Sequence, residues 1–300
     1  MIAVMGATGQ VGRGITERLL AGGEAVRALG RSEARLAELA RLGARTCAGD
    51  AADEAYLSQA FEGARAVFTL LPYDPSLLDY HAQQDRLGES IVRALGSAGV
   101  PYVVALSSVG ADLRSGTGFI ASLFAQEQRL SRLPGTQVLV LRPGSFFENF
   151  HAALPSILEH GVYADAFAPD VPIPMIATRD ISAVGARALM ARDWEGFVVR
   201  ELLGPRDLSY ADATRILGEC IGKPELEYVR LPDNEIERIL VDAGFSEDAA
   251  RLHVELAGAL SDGTIRAREE RSPDNTTPTT FEEFAGGLAR PEASSLGAGS

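Results

Sequence analysis

Gly6-Ala7-Thr8-Gly9-Gln10-Val11-Gly12 stands between an apolar run, residues 1–5, and a helical pattern. Its three glycines fall at i, i+3 and i+6. Glycine at these points permits a tight turn and lets the backbone approach a pyrophosphate, while the following helix offers free N–H groups and the positive end of its dipole. A glycine repeat alone says little. After a strand and before an amphipathic helix it has the context that phosphate cradling needs. Val11, Ile15 and Leu19 supply that helix, one face at i, i+4, i+8, and Gly22-Gly23 closes it. The plain alternative is a strand-to-helix turn that binds nothing.

The same rhythm continues outward. Residues 25–29 read as a second strand. Ser32 caps a helix whose apolar face carries Leu36, Leu39 and Ala40, with Gly43 closing it. Residues 45–48 form a short third strand, and Asp53 opens a helix with Leu57 and Phe61. Residues 66–71 are a strongly apolar fourth strand. Leu87, Ile91 and Leu95 mark a long helix that stops near Gly99. A fifth strand at 102–106, a helix around 119–132 and a sixth strand at 137–141 complete the series. Such alternation implies right-handed crossovers and a parallel sheet covered on both faces. The fold class is therefore α/β, a doubly wound (Rossmann) sheet that binds ligands at the carboxyl ends of its strands.

Beyond residue 150 the rhythm changes. A helical piece at 152–159 leads into a proline-rich loop at 168–174. Asp180 caps a helix at 181–190, and residues 196–203 return a strand to the sheet. From Gly204 the pattern is mostly helical, with a strand at 226–231 and a capping box at Thr280-Phe281-Glu282-Glu283. The expected organisation is a Rossmann domain of residues 1–150 and about 175–204, with a smaller, mostly helical substrate lobe of about 151–174 and 205–290. Residues 291–300 are small and polar, and a disordered tail is expected there.

Composition narrows the function. The 300 residues are 46% hydrophobic and 23% charged, ordinary for a soluble globular protein large enough to need neither disulfides nor metal. The net charge is −13, and Lys223 is the only lysine. An acidic surface repels phosphate backbones, so no nucleic-acid partner is expected. Cys47 and Cys220 read as small apolar side chains in a reducing compartment. His81, His151, His160 and His253 are scattered without ligand spacing, so no metal is expected. No apolar stretch reaches the roughly 20 residues of a membrane span, and residues 1–6 lack a basic leader; the expectation is a cytoplasmic protein. Neither a hydrolase elbow nor an NTPase phosphate loop occurs.

The second strand ends in Leu29-Gly30-Arg31-Ser32, where NAD-binding versions of this fold carry an acid for the ribose 2′-hydroxyl. Arg31 can instead pair with a 2′-phosphate, and Ser32 can donate to it, which favours NADP(H) over NAD(H). The alternative for Arg31 is a solvated surface arginine. Asp50, after the third strand, can accept from the adenine amino group or serve as a turn or cap residue.

These features combine with Gly49-Asp50, Leu70-Leu71-Pro72, Ser107-Ser108 and Arg142-Pro143-Gly144-Ser145-Phe146-Phe147-Glu148-Asn149. Arg179-Asp180-Ile181, Leu203-Gly204-Pro205 and the terminal Pro278–Phe284 stretch agree with them. Over residues 1–285 the chain resembles the NmrA-like family of atypical short-chain dehydrogenase/reductases. The resemblance implies that Leu70, Leu71 and Pro72 pass the middle of the dinucleotide. It implies that the segment with Pro143, Gly144 and Phe146 lines its nicotinamide end, and that Ser107 and Ser108 face the reacting ring. Ser108, Val109, Phe119, Phe147 and Asn149 then fall on the substrate side. Core packing is the alternative for the phenylalanines, and helix capping for Asn149.

Many reductases of the wider superfamily use a tyrosine and a lysine four residues apart to protonate a carbonyl oxygen. Alignment places those positions at Phe119 and Leu123, and neither transfers a proton. The expected substrate is therefore flat, apolar and in little need of an acid: a quinone or a similar small conjugated acceptor. Relatives resembling NADPH quinone reductases also lack the pair. The alternatives are an NADP(H)-binding redox-sensing regulatory protein, acting through a protein partner without turnover, and a specialised biosynthetic enzyme. No catalytic acid is identified; His151 and Tyr73 are the weak candidates, with a helix-surface role as the alternative for His151.

Overall fold

The computed structural model describes residues 1–288; the expected disordered tail at 291–300 lies outside the described residues. The first half runs β1 (Ile2–Val4), α1 (Gln10–Ala21), β2 (Val26–Gly30), α2 (Glu33–Arg41), β3 (Arg45–Ala48), α3 (Glu54–Phe61), β4 (Ala66–Thr69), α4 (Tyr80–Ser97), β5 (Tyr102–Leu106), α5 (Ile120–Leu130) and β6 (Gln137–Pro143). Then come β7 (Ser145–Phe146), α6 (Phe150–His160), β8 (Val162–Asp165), β9 (Ile173–Ile176), α7 (Thr178–Ala191) and β10 (Phe197–Leu202). The chain closes with β11 (Asp207–Leu208), α8 (Tyr210–Cys220), β12 (Glu227–Arg230), α9 (Asp233–Asp242), α10 (Glu247–Ser261) and α11 (Phe281–Leu288).

Seven strands form one parallel sheet in the order β10-β6-β5-β4-β1-β2-β3. The chain winds outward from β1 in one direction and then restarts at β4 in the other. The gap between β1 and β4 is thus the topological switch point, where such sheets hold ligands. Successive residues of β1 serve opposite faces. Ile2 and Val4 pack on one face of the sheet with Ile15, Leu36 and Ile181, while Ala3 packs on the other with Leu57, Ile91 and Leu130, and these two layers make the sheet's core. Double burial explains why these strands read as unbroken apolar runs.

A second core gathers Phe147, Phe150, Tyr163, Phe167, Tyr210, Phe281 and aliphatic residues from 157 to 285. Three carboxylates, those of Asp180 and Glu201 buried and that of Glu148 partly so, join it to the sheet. Glu148 accepts the Thr178 N–H and hydroxyl at the start of α7. Asp180 accepts the same two groups of Thr279, and Glu201 on β10 accepts the N–H groups of Arg268 and Glu269. Thr178 and Thr279 are buried, so without Glu148 and Asp180 their donors would be left unpaired at a cost of about 1–3 kcal/mol apiece.

Several expectations are corrected. β4 stops at Thr69, so Leu70 and Leu71 already belong to the following loop. Ala40 is exposed; the buried face of α2 is Leu36 and Leu39. Asp180 does not cap α7, which starts at Thr178 after Ala177; its carboxylate reaches across to Thr279 instead. The proline-rich loop ends in β9, which pairs with β7 and β11. These strands are two to four residues long, too short to show an alternating pattern. The capping box forms as read, with Thr280 and Glu283 exchanging 3.2 Å bonds.

Candidate cofactor and substrate site

The glycine loop leaves β1 at the switch point. Gly6 has φ +60°, a region side chains rarely adopt. Gly12 is held against backbone: a Cβ there would lie 2.2 Å from the Gly6 carbonyl oxygen. Gly9 differs. It is exposed, its φ is −90°, and a Cβ would meet only the Gly6 oxygen at 3.4 Å. The fold does not need glycine at position 9; its bare α-carbon keeps the start of α1 open. No side chain caps α1 and no acid occupies its first turn, so its N–H groups and dipole face the loop unopposed. Ala7 and Val11 are buried beneath, and Thr8 and Gln10 border the opening.

Arg31 lies just past β2 with 78% of its side chain exposed. The Ser32 hydroxyl accepts from the Arg35 N–H at 3.3 Å, capping α2 and keeping its own proton for another acceptor. Arg35, which the sequence reading did not single out, donates to the Thr8 carbonyl at 2.7 Å and brings a second guanidinium to the phosphate loop. Its place one helical turn beyond Ser32 was the available signal. Arg13 is nearby but already paired with Glu17 and Glu38. Asp50 accepts from the Ala52 N–H at 2.9 Å, the turn geometry, and remains exposed.

The side expected to face the nicotinamide lies at the ends of β4, β5 and β6. Leu70 packs beneath Gly6, and Leu71 and Pro72 follow, partly exposed. A small cavity next to them is lined by Thr69, Leu70, Leu71, Ser107, Leu123 and Glu127. The Ser107 hydroxyl donates to Glu127 at 2.5 Å, and Arg142 grips the same carboxylate at 2.9 and 2.6 Å. With its proton committed, Ser107 meets a ligand as an acceptor. Ser108 is half-buried and donates to the Val109 carbonyl. Phe119 stands edge-on to Tyr73 at 5.2 Å and to Tyr80 at 4.9 Å. Desolvation, by burial at Tyr80 and by the neighbouring rings at Tyr73, pushes both phenols above the usual tyrosine range, with nearby charge adding, so both stay protonated donors.

Two substrate-side expectations change. Phe147 is fully buried in the second core, edge-on to Phe281 at 5.1 Å, and forms no wall. Consecutive residues point apart here: Phe146 turns toward the sheet and stays half-buried, Phe147 toward the lobe. Val109 is likewise buried, with Ala111, Ile120, Leu203 and Ile265. Pro143 ends β6, and Gly144 lies so close to Pro174 that a Cβ would sit 2.4 Å from its carbonyl oxygen. Asn149 is exposed and 3.4 Å from the Ser145 hydroxyl; its side chain caps nothing. His151 is exposed on α6, and its ring neighbour is Phe284, not the Tyr73–Phe119 cluster. Among the described residues no cluster of three potential metal ligands occurs, and no helix is long and apolar enough to cross a membrane.

A switch point beside a glycine loop and an open helix start, with Arg31 and Arg35 just past β2, is the arrangement of a dinucleotide-binding Rossmann fold. The chain belongs to the NmrA-like family, whose model matches residues 1–285. It is 31% identical over 269 residues to quinone oxidoreductase 2 of Escherichia coli, covering 89% of this chain and 88% of that one. It is 29% identical over 291 residues to the (4-alkanoyl-5-oxo-2,5-dihydrofuran-3-yl)methyl phosphate reductase of Streptomyces griseus, covering 97% and 95%. Among solved structures, the NADPH complex of an Escherichia coli NADPH-dependent quinone oxidoreductase superposes with a TM-score of 0.81 at 26% identity, covering 96% of this chain and 99% of that one.

Proposed function

We propose that this protein is an NADPH-dependent reductase that delivers hydride to a quinone or a similarly flat, conjugated acceptor. The observation that carries the reading is the aromatic wall of Phe119, Tyr73 and Tyr80 where a Tyr/Lys pair would otherwise stand. That wall orients a flat ring, but it holds no acid of near-neutral pKa. It suits an acceptor whose negative charge spreads over conjugated carbonyls and is quenched by solvent protons. When bound, the reduced nicotinamide supplies the hydride. The start of α1 holds the pyrophosphate, and Arg31 and Arg35 hold the 2′-phosphate. Leu70, Leu71 and Pro72 flank the dinucleotide, and Ser107, fixed by Glu127, accepts a hydrogen bond at its nicotinamide end. The relatives support the acceptor class: one is a quinone oxidoreductase, and the other reduces an oxo-dihydrofuran.

The test follows NADPH consumption by absorbance across a quinone panel, with NADPH and NADH titrated on the same sample. Turnover with at least one quinone is expected. Tight NADPH binding without turnover on any conjugated acceptor overturns the reductase reading in favour of a non-catalytic redox sensor. Arg31→Ala is expected to weaken NADPH at least about tenfold while leaving NADH within about twofold. Equal losses for both cofactors would show that Arg31 does not read the phosphate.

A further inference from the structure

The loop between β4 and α4 touches each part of this surface. Leu70 underlies Gly6, Tyr73 meets Phe119, and the Pro72 carbonyl accepts from Gln84 at 2.8 Å. Its far end is tied to the start of α10, where the Ser246 N–H and hydroxyl donate to the carbonyls of Pro75 and Leu77 at 2.9 and 2.6 Å. Asp74 sits between these anchors. One carboxylate oxygen accepts from the Ser76 N–H and hydroxyl at 3.1 and 2.6 Å, which fixes a tight turn. The other faces the Arg31 guanidinium at 3.9 Å, and Asp74 is the one ion-pair partner of Arg31 among the described residues.

We propose that Asp74 is a specificity-determining residue for the cofactor: its carboxylate competes with the 2′-phosphate for Arg31 and narrows the preference for NADPH over NADH. This rests on the reading of Arg31 given above. Arg31 brings a single positive charge, and a 2′-phosphate seated there places a second anion on it. Asp74 cannot swing away freely, because Ser76 holds its carboxylate and Ser246 holds the loop. The Ser76 hydrogen bonds, with a smaller contribution from Arg31, keep its carboxyl below the usual range, so it is anionic across the working pH. Arg31 gives up its attraction to Asp74 to take the 2′-phosphate, and the attraction of unit charges about 4 Å apart in water corresponds to roughly a three- to tenfold effect on affinity. NADH carries a neutral 2′-hydroxyl there and draws nothing away from that pair.

The experiment titrates NADPH and NADH against the full chain carrying Asp74→Asn, Arg31→Ala, or both. Asparagine keeps an acceptor for Ser76 and thus the turn; Asp74→Ser, which also keeps one, guards against a folding defect. Asp74→Asn is expected to tighten NADPH about three- to tenfold, to leave NADH within about twofold, and to give no gain in the Arg31→Ala background. An unchanged or weaker NADPH affinity, or the same gain without Arg31, overturns the proposal. If Arg31→Ala weakens NADPH while Asp74→Asn does nothing, only the role of Asp74 falls. If Arg31→Ala changes nothing, the phosphate reading falls with it.

Discussion

Residues 6–12 and residues 142–149 are both turns at the ends of sheet strands, and they are built on opposite principles. The first works by what it lacks. Gly6 has no side chain because its φ is positive and Leu70 packs against it, Gly12 because backbone fills the space, and Gly9 has none although only the Gly6 oxygen comes within ordinary contact. The second works by what its side chains hold. Arg142 grips Glu127, Phe147 enters the lobe core, and Glu148 binds the start of α7. Pro143, Gly144 and Phe147 are buried, and only Asn149 is fully exposed. A motif with a family's look can therefore leave an open helix start in one place and form mainly a seam between two cores in another.

Substitution at two glycines of the same loop tests the first half of the contrast. Gly12→Ala forces a Cβ into a carbonyl 2.2 Å away, and the backbone itself must move. The expected result is loss of the folded state, or destabilisation above roughly 4 kcal/mol by thermal or urea unfolding. Gly9→Val is expected to leave the unfolding midpoint within a few degrees and to reduce dinucleotide affinity at least about 100-fold. A Gly9→Val protein that keeps its affinity would break the assignment of this loop to the pyrophosphate.

The seam offers a matching pair of neighbours. Phe147→Ala removes a fully buried ring packed against Phe281, Phe284 and their surroundings, and is expected to cost about 3–5 kcal/mol in urea unfolding. Phe146→Ala removes a half-buried ring and is expected to cost about half as much, with its larger effect on the KM for the quinone. Reversed magnitudes would return Phe147 to the substrate wall and make Phe146 the structural residue.

The two regions also differ in how legible they were. The glycine loop, the strand–helix alternation and the Ser32 and Asp53 caps depend on interactions within a few residues, and they could be read from spacing alone. The same holds for the capping box at Thr280. Asp180 and Phe147 show the limit. An aspartate before an apolar run looks like a cap, and its partner, Thr279, is 99 positions away. Two adjacent phenylalanines look alike until the backbone sends one to each core. Arg35 escaped notice because its hydrogen bond to Thr8 spans 27 positions. The short strands β7, β9 and β11 exist through pairing across the lobe, which no local periodicity encodes.

The smallest effect is expected at Tyr73, and it sharpens the comparison between holding a substrate and reacting with it. Tyr73 is 54% exposed as a residue, yet its ring is set against Phe119 and Tyr80, and desolvation there pushes its phenol above the usual tyrosine range. A tyrosine with a raised pKa remains neutral at every pH below that value, so it contributes no acidic or basic limb near neutrality. If the site only orients a flat acceptor, Tyr73→Phe keeps the aromatic face and changes kcat by less than about threefold, since no transition-state proton transfer is lost. The pH profile of kcat should then be superimposable on that of the parent from pH 6 to about 10, below the range in which such a phenol titrates. A fall in kcat of about 100-fold or more, with KM unchanged, would instead mark Tyr73 as the proton donor that replaces the missing tyrosine at position 119.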